Sequence, residues 1–359
     1  MQRNRPITPI SKNRQKKPAS KLLVVMKFAL HAPARNMPDA IKKATSAEKL
    51  GFEALYFADG HMNNLDPFQA MTIAALNTER LRVGIAVTNM VYRDPTVLAT
   101  SAASINEISQ GRAILGLGTG DGSVYRLNRS ATRIADFEKG LRTIRDLLQG
   151  GSITVPKGKE ARAERKVPLT VGKLPVPIYV SAEGPRSLRV AGKFADGIIL
   201  GCGFDLGVLE WARKQIAQGA KENGRNLSDI DVMPAGMIYV HKDGARARSL
   251  VRARLANRAH HNFRFTLETV PEGELAGVKR FMDGFDITKP IEERVDPDLI
   301  TDYLLQRFSI AGTPQECIAQ LKGLAEAGIE RVLLTPPNKA YDEVAAAWGR
   351  SVIPAATNL

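Results

Sequence analysis

The sequence predicts an α/β protein built as a (β/α)8 barrel, the TIM-barrel architecture. Three observations lead there. Eight short apolar runs each precede a segment with helical spacing. The runs lack the polar alternation of a half-exposed sheet, as strands buried on both faces do. Prolines and glycines fall at the starts and ends of the intervening helices. A length of 359 residues would suit two average domains, yet it is ordinary for one such barrel.

The elements follow in order. Leu22–Leu30 is an apolar run without a turn residue and reads as the first strand. From Pro38 to Leu50, Ala40, Ile41, Ala44, Ala47 and Leu50 share one helical face, and Gly51 stops the helix. Ala54–Ala58 is the second strand and Pro67–Asn77 the next helix. Leu81–Val87 and Pro95–Ile108 repeat the unit, with proline in the first helical turn. Ala113–Leu117 precedes the helix Ile134–Leu148. Val176–Ser181 leads into Arg186–Phe194, and Gly197–Leu200 into Leu206–Asn223. Ile230–Val240 is the seventh strand. After the helix Gln315–Ala327 and Gly328, Val332–Leu334 is the eighth, and Ala340–Gly349 closes the series.

Two stretches break this rhythm, as insertions after the fourth and seventh strands. Residues 150–175 are too basic for a core and read as an excursion of hairpin type. Residues 243–309 read as mostly helical, broken at Asp283-Gly284 and Lys289-Pro290. Insertions of this kind on a barrel build or cover the mouth of the site. The expected organisation is a basic arm over 1–20 and one barrel domain over 21–359.

Composition excludes the unusual classes. Apolar residues make up 44%, and no run approaches a membrane span. Cys202 and Cys317 lie far apart without partners at metal-ligand spacing, which fits a reducing cytoplasm and neither a disulfide framework nor a zinc site. The net charge of +14 invites a nucleic-acid reading, but its distribution argues against one. Residues 1–27 contribute +8 and residues 157–173 contribute +4, so the remainder is nearly neutral. The first twenty residues carry Pro6, Pro9 and Pro18 and no apolar stretch, so a disordered basic arm is favoured over an address tag or a nucleic-acid tail.

Chemistry in such a barrel belongs at the C-terminal strand ends. Those ends carry His31; Asp59, His61, Asn63 and Asn64; Thr88 and Asn89; Gly118, Thr119, Gly120 and Asp121; and Ser181, Ala182, Glu183, Gly184, Pro185 and Arg186. Gly116-Leu117-Gly118-Thr119-Gly120-Asp121 misses the dinucleotide fingerprint, because Asp121 stands at the third glycine and no helix begins at once. It reads either as bare backbone approaching a flat or anionic ligand or as a tight turn. Ser181 to Arg186 lead into a helix with Pro185 in its first turn and a cation beside it. That is a phosphate site by the physics of helix N-termini, with ordinary capping as the bland alternative. Among the five histidines, His260, His261 and His241 read as surface residues, whereas His31 and His61 are candidates for proton handling.

These residues resemble the luciferase-like flavin and deazaflavin oxidoreductases, and within them the methylenetetrahydromethanopterin reductase branch, which uses coenzyme F420. The resemblance covers roughly residues 22–350. It rests on Ala58 to Asn64, Gly84 to Asn89, Ile108 to Asp121, Gly184 to Arg186 with Ala191 to Gly197, and Phe308 to Pro314. It implies a coenzyme in the barrel mouth, its ring against the end of the third strand. A non-prolyl cis peptide is implied there, which by position is Ala86–Val87. The phosphate-bearing tail would lie near Gly118 to Gly120 and Ser181 to Arg186, and Asp59, His61, Asn63 and Asn64 would line the ring and substrate side. Three departures lie on that side: Gly60 is inserted, Met62 replaces a tyrosine, and His31 stands where the reductases carry a glutamate. If His31 handles the proton, it should sit near the substrate rather than under the ring, and His61 should be held by Asp59. The alternative is that His31 packs under the insertion.

The resemblance implies hydride transfer between reduced F420 and a small substrate, with 5,10-methylenetetrahydromethanopterin a candidate. An FMN-dependent monooxygenase of the same barrel and a binding protein without turnover are the competing readings. The expected setting is cytoplasmic, as a homodimer or larger homo-oligomer, without nucleic-acid, membrane or metal partners.

Overall fold

The computed structural model describes residues 25–356 apart from Asp121, Glu160, Ala161 and Ile291, so the proposed arm over 1–20 lies outside the described residues. Eight parallel strands close into a ring: β1 (Lys27–Ala32), β2 (Ala54–Phe57), β3 (Arg82–Ile85), β4 (Ala113–Gly118), β5 (Ile178–Ala182), β6 (Gly197–Leu200), β7 (Asp231–Val240) and β8 (Arg331–Thr335). Each is paired with the next, and β8 with β1. The helices outside the ring are α1 (Met37–Lys49), α2 (Pro67–Leu76), α3 (Pro95–Ile108), α4 (Ile134–Leu148), α5 (Pro185–Phe194) and α6 (Leu206–Glu222). After β7 come α7 (Gly244–Thr266), α8 (Glu272–Asp283) and α9 (Asp302–Phe308), then α10 (Pro314–Glu326) and α11 (Tyr341–Ser351).

Local sequence explains the helix starts. Asp66 accepts from the Phe68 amide and Asp94 from the Thr96 amide, each just before a first-turn proline. Thr313 and Glu316 form a reciprocal capping box at α10.

Three differences from the sequence reading have physical causes. The first strand begins at Lys27 instead of Leu22, because its ladder starts opposite Arg331, the first residue of β8; Val25 is exposed, and Leu22 lies outside the described residues. The third strand does not run unbroken to Val87. It stops at Ile85, the Ala86–Val87 peptide is cis, and pairing resumes at Thr88–Asn89 against Leu117 and Gly118 of β4. Ser309–Gly312, read as part of the helical insertion, is a short strand alongside Met237–Val240. Four residues give too little period to read, and this pairing is long-range. The excursion after β4 does contain a hairpin, Ser152–Val155 against Arg165–Pro168.

Apolar side chains form two bodies. One fills the space between ring and helices, and a smaller one fills the ring itself, around Tyr56, Tyr179, Ile114, Ile199, Met233 and Leu333. The two tyrosine rings lie 6.3 Å apart between centroids and leave room only for glycine opposite them. A Cβ at Gly84 would stand 2.7 Å from Tyr56, and one at Gly197 would enter the Tyr179 ring.

Ion pairs close the ring's N-terminal end. Arg331 holds Glu53 with two hydrogen bonds of 2.7 and 2.9 Å and pairs with Asp231, which also accepts from Tyr179 at 2.6 Å. Burial would push the Glu53 carboxyl up, but the hydrogen bond and charge of Arg331 bring it below its usual range.

Candidate active site

A cavity of about 630 Å³ opens at the C-terminal strand ends. That is ample for a small-molecule or cofactor site. The break in β3 forms part of its lining. Ala86 donates its amide to Phe57 at 3.0 Å, and its carbonyl accepts from His31 Nε2 at 3.1 Å. Two glycines of β4 let this bulge approach. A Cβ at Gly116 would overlap the Ile85 carbonyl oxygen, and one at Gly118 would lie 2.9 Å from Val87 Cγ2. The glycines of the Gly-x-Gly-x-Gly run therefore serve first to seat the bulge. Gly120 adds a left-handed turn at φ +107.

His31, Asp59, Ala86, Val87, Thr88, Asn89, Gly118, Thr119 and Gly120 all line the cavity, as do Ser181, Ala182, Glu183, Gly184, Pro185 and Arg186. His61, Asn63 and Asn64 do not line it. His61 stacks on Tyr92 with centroids 4.6 Å apart, Asn63 is exposed, and Asn64 turns back to the Ala58 carbonyl at 3.4 Å. Asp121 lies outside the described residues.

Asp59 is not spent on His61, as the sequence reading had it. Its buried carboxylate takes Arg93 Nη1 at 2.6 Å and Thr88 Oγ1 at 2.8 Å, while Arg93 Nη2 reaches Asp66 at 2.6 Å. This network ties the segment after the bulge to the start of α2. Arg93 escaped the sequence reading because it stands outside the strand ends, one residue before the cap of α3.

His31 sits against the bulge, its Nε2 at the Ala86 carbonyl. A carbonyl only accepts, so Nε2 carries the imidazole's proton and Nδ1 is bare. Its pKa falls to about 4, chiefly through burial, opposed by the Ala86 hydrogen bond and reinforced by the charge of Arg258. A neutral His31 with its one N–H committed to Ala86 is poorly suited to donate a proton near neutral pH. The shift also sets a pH dependence. An unfolded histidine takes up a proton near pH 6.5, whereas the folded one resists until about pH 4. The stability tied to His31 is complete above about pH 6.5 and lost as the pH falls toward 4, by about 2–3 kcal/mol. Denaturant unfolding between pH 7 and 4 should show this loss, and His31→Gln should flatten it.

At the far wall, α5 starts at Gly184 without a side-chain cap, leaving the first-turn amides for a ligand. Arg186 is exposed at the cavity edge and makes no ion pair among the described residues. Glu183 behaves differently from the anion site proposed around it. It is buried, pairs with Arg258 and accepts from Asn262 Nδ2 at 3.0 Å, so it anchors the insertion.

Arg258, His261 and Phe265, all on α7, complete the cavity. Their spacing of three and four residues marks one helical face, a signal present in the sequence. His261 is thus a cavity residue and not a surface one, with Nε2 4.0 Å from Glu183. His260 stacks on Phe285 at 4.0 Å. Among the described residues no group of three or more His, Cys, Asp or Glu could hold a metal ion, and no helix is long and apolar enough to cross a membrane.

Comparison with known proteins places this geometry. The profile of the luciferase-like monooxygenase family matches residues 22–331. The 5,10-methylenetetrahydromethanopterin reductase of Methanolobus tindarius is 31% identical over 296 residues, covering 82% of this chain and 89% of that protein. The F420-dependent glucose-6-phosphate dehydrogenase of Beutenbergia cavernae is 27% identical over 321 residues, covering 83% and 87%. Among solved structures, the coenzyme F420-dependent tetrahydromethanopterin reductase of Methanopyrus kandleri superposes with a TM-score of 0.69 at 24% identity, over 93% of this chain and 99% of that one. An F420-dependent secondary alcohol dehydrogenase does so with a TM-score of 0.71 at 18% identity, over 92% and 99%. Those two likenesses speak to the fold.

Proposed function

Because the chain belongs to the luciferase-like monooxygenase family, we propose that it is a coenzyme F420-dependent oxidoreductase that moves a hydride between reduced deazaflavin and a small organic substrate. 5,10-Methylenetetrahydromethanopterin is the candidate substrate, in line with the named activity of the relatives. The observation that carries this reading is a cavity at the strand ends with the small residues Ala86 and Val87 along one wall and an uncapped helix start at the far wall. A flat, small-residue surface opposite free amide donors and an unpaired arginine suits a planar ring with an anionic tail.

When bound, the reduced coenzyme supplies the hydride, and the protein supplies position and a dry enclosure. Ala86 and Val87 would support the ring, with His31 holding the Ala86 carbonyl in place. Gly118, Thr119 and Gly120, with Ser181, Ala182 and Gly184 through Arg186, would hold the tail. Asp59, fixed by Arg93 and Thr88, keeps the bulge registered. His31 and Asp59 thus act through the bulge, and His61, outside the cavity, is assigned no proton transfer. A homodimer or larger homo-oligomer is the expected assembly, and two buried free cysteines suit a cytoplasmic setting.

Fluorescence titration with oxidised and reduced F420 and with FMN tests the reading. Saturable F420 binding with far weaker FMN binding is expected; a purified protein carrying yellow FMN would instead favour the monooxygenase reading. Arg186→Ala should weaken F420 binding by about 1.5–3 kcal/mol, the worth of a charge-assisted contact, with the thermal unfolding midpoint unchanged. An unaltered dissociation constant would remove Arg186 from the site.

A further inference from the structure

The insertion brings a fixed cation into the cavity. Arg258 donates Nε–H to the Gly201 carbonyl at 3.2 Å and pairs Nη2 with Glu183. Neither contact uses Nη1. Glu183 is itself held by Asn262, which accepts at 3.1 Å from the fully buried Arg307 on α9. Gly201 has no side chain because the guanidinium occupies the place where its Cβ would stand. Two helices and two strand ends thus fix one guanidinium, whose side chain is still 32% exposed, at the cavity wall. A salt bridge serving stability alone would need neither the bare glycine nor the open cavity. The charge also reaches His31 and helps to keep it neutral.

We propose that Arg258 orients the substrate, its guanidinium holding an oxygen of the acceptor that carries or gains negative charge. The shared chemistry is a carboxylate or carbonyl oxygen, which the planar, permanently charged fork of arginine is shaped to hold. This deepens the oxidoreductase reading and rests on it for the presence of the coenzyme in the same cavity. Glu183 divides its charge between Arg258, Asn262 and His261, and so fixes the guanidinium without saturating it.

The test uses the full chain loaded with F420 and two fluorinated probes followed by fluorine NMR line broadening. Trifluoroacetate reads the charged oxygen and trifluoroacetamide the neutral carbonyl. At least one probe is expected to bind, and Arg258→Met should weaken it tenfold or more, with Arg258→Lys restoring part. Gly201→Ala, which displaces the guanidinium and keeps the arginine, should reproduce the loss if Arg258→Met fails to fold. F420 affinity should stay within twofold in the Arg258 and Gly201 variants, and Arg186→Ala should retain probe binding. Unchanged broadening in Arg258→Met or Gly201→Ala, no probe binding to the wild type, or F420 affinity falling in step would overturn the proposal. Should the wild type bind no F420, the oxidoreductase reading fails separately, and the same titration on protein without coenzyme still decides the role of Arg258.

Discussion

Exchange of Arg331 for methionine is expected to cost the fold about 3–5 kcal/mol, the usual penalty for removing one partner of a buried ion pair. The side chain is 11% exposed, and it satisfies two carboxylates that are 24% and 22% exposed. Methionine fills the volume but leaves Glu53 and Asp231 facing each other across the ring's closed end. Arg82 cannot take over, since its nearest nitrogen stands 3.9 Å from Glu53 and already shares that oxygen. The loss should shrink in acid, once Glu53 is protonated. Glu53 has a lowered pKa in the folded protein, so its share of stability is present above its unfolded value and disappears as the pH falls through the folded one. Urea unfolding of the wild type and Arg331→Met at pH 7 and at about pH 3 checks both parts; equal midpoints at pH 7 would dismiss the cluster as a stabilising feature.

Gly116→Ala should cost about 3 kcal/mol, at the top of the range for overpacking, and weaken coenzyme binding as well. The added carbon would meet the Ile85 carbonyl, a main-chain atom in a paired strand, which cannot swing aside as a side chain can. Relief requires moving the bulge, and with it Ala86, Val87 and the His31 hydrogen bond. Gly273→Ala, on α8 away from the cavity and with nothing within reach of a new Cβ, is the control. Calorimetry and F420 titration of the two variants separate the cases. If Gly116→Ala binds F420 as the wild type does, the bulge does not support the ring.

Much of the barrel was legible because the ring imposes one repeating demand on the chain. Every strand is buried on both faces, so each reads as an apolar run, and helix starts are written locally at Asp66-Pro67 and Asp94-Pro95. Ser309–Gly312 was not legible, since its pairing with β7 depends on residues some seventy positions earlier. The site divides along the same line. The barrel's strand-end lining, from His31 to Arg186, follows from topology alone. The partners of Asp59, Glu183 and His31 do not, because Arg93, Asn262 and the Ala86 carbonyl reach them through space. A histidine next to an aspartate in sequence, as in Asp59-Gly60-His61, says nothing about which cation the folded carboxylate meets. The glycines of β4 show a subtler limit. Their requirement for small size was readable, but its cause is the neighbouring strand's carbonyl and not a ligand.

The insertion between β7 and α10 touches the cavity's strand ends through few polar contacts: Arg258 to Gly201, Asn262 and Arg258 to Glu183, and Arg307 to the Cys202 carbonyl. The coenzyme's proposed wall, by contrast, is made from strands that also hold the ring closed. The chain is therefore free to change in very different degrees on its two sides. A new α7 must meet one carboxylate and one carbonyl and refill the apolar contacts of Val251, Leu255 and Phe263, whereas a new β3 bulge must satisfy β2, β4 and the ring's interior at once. Over evolutionary time that asymmetry makes the choice of substrate cheap to revise and the choice of coenzyme conservative.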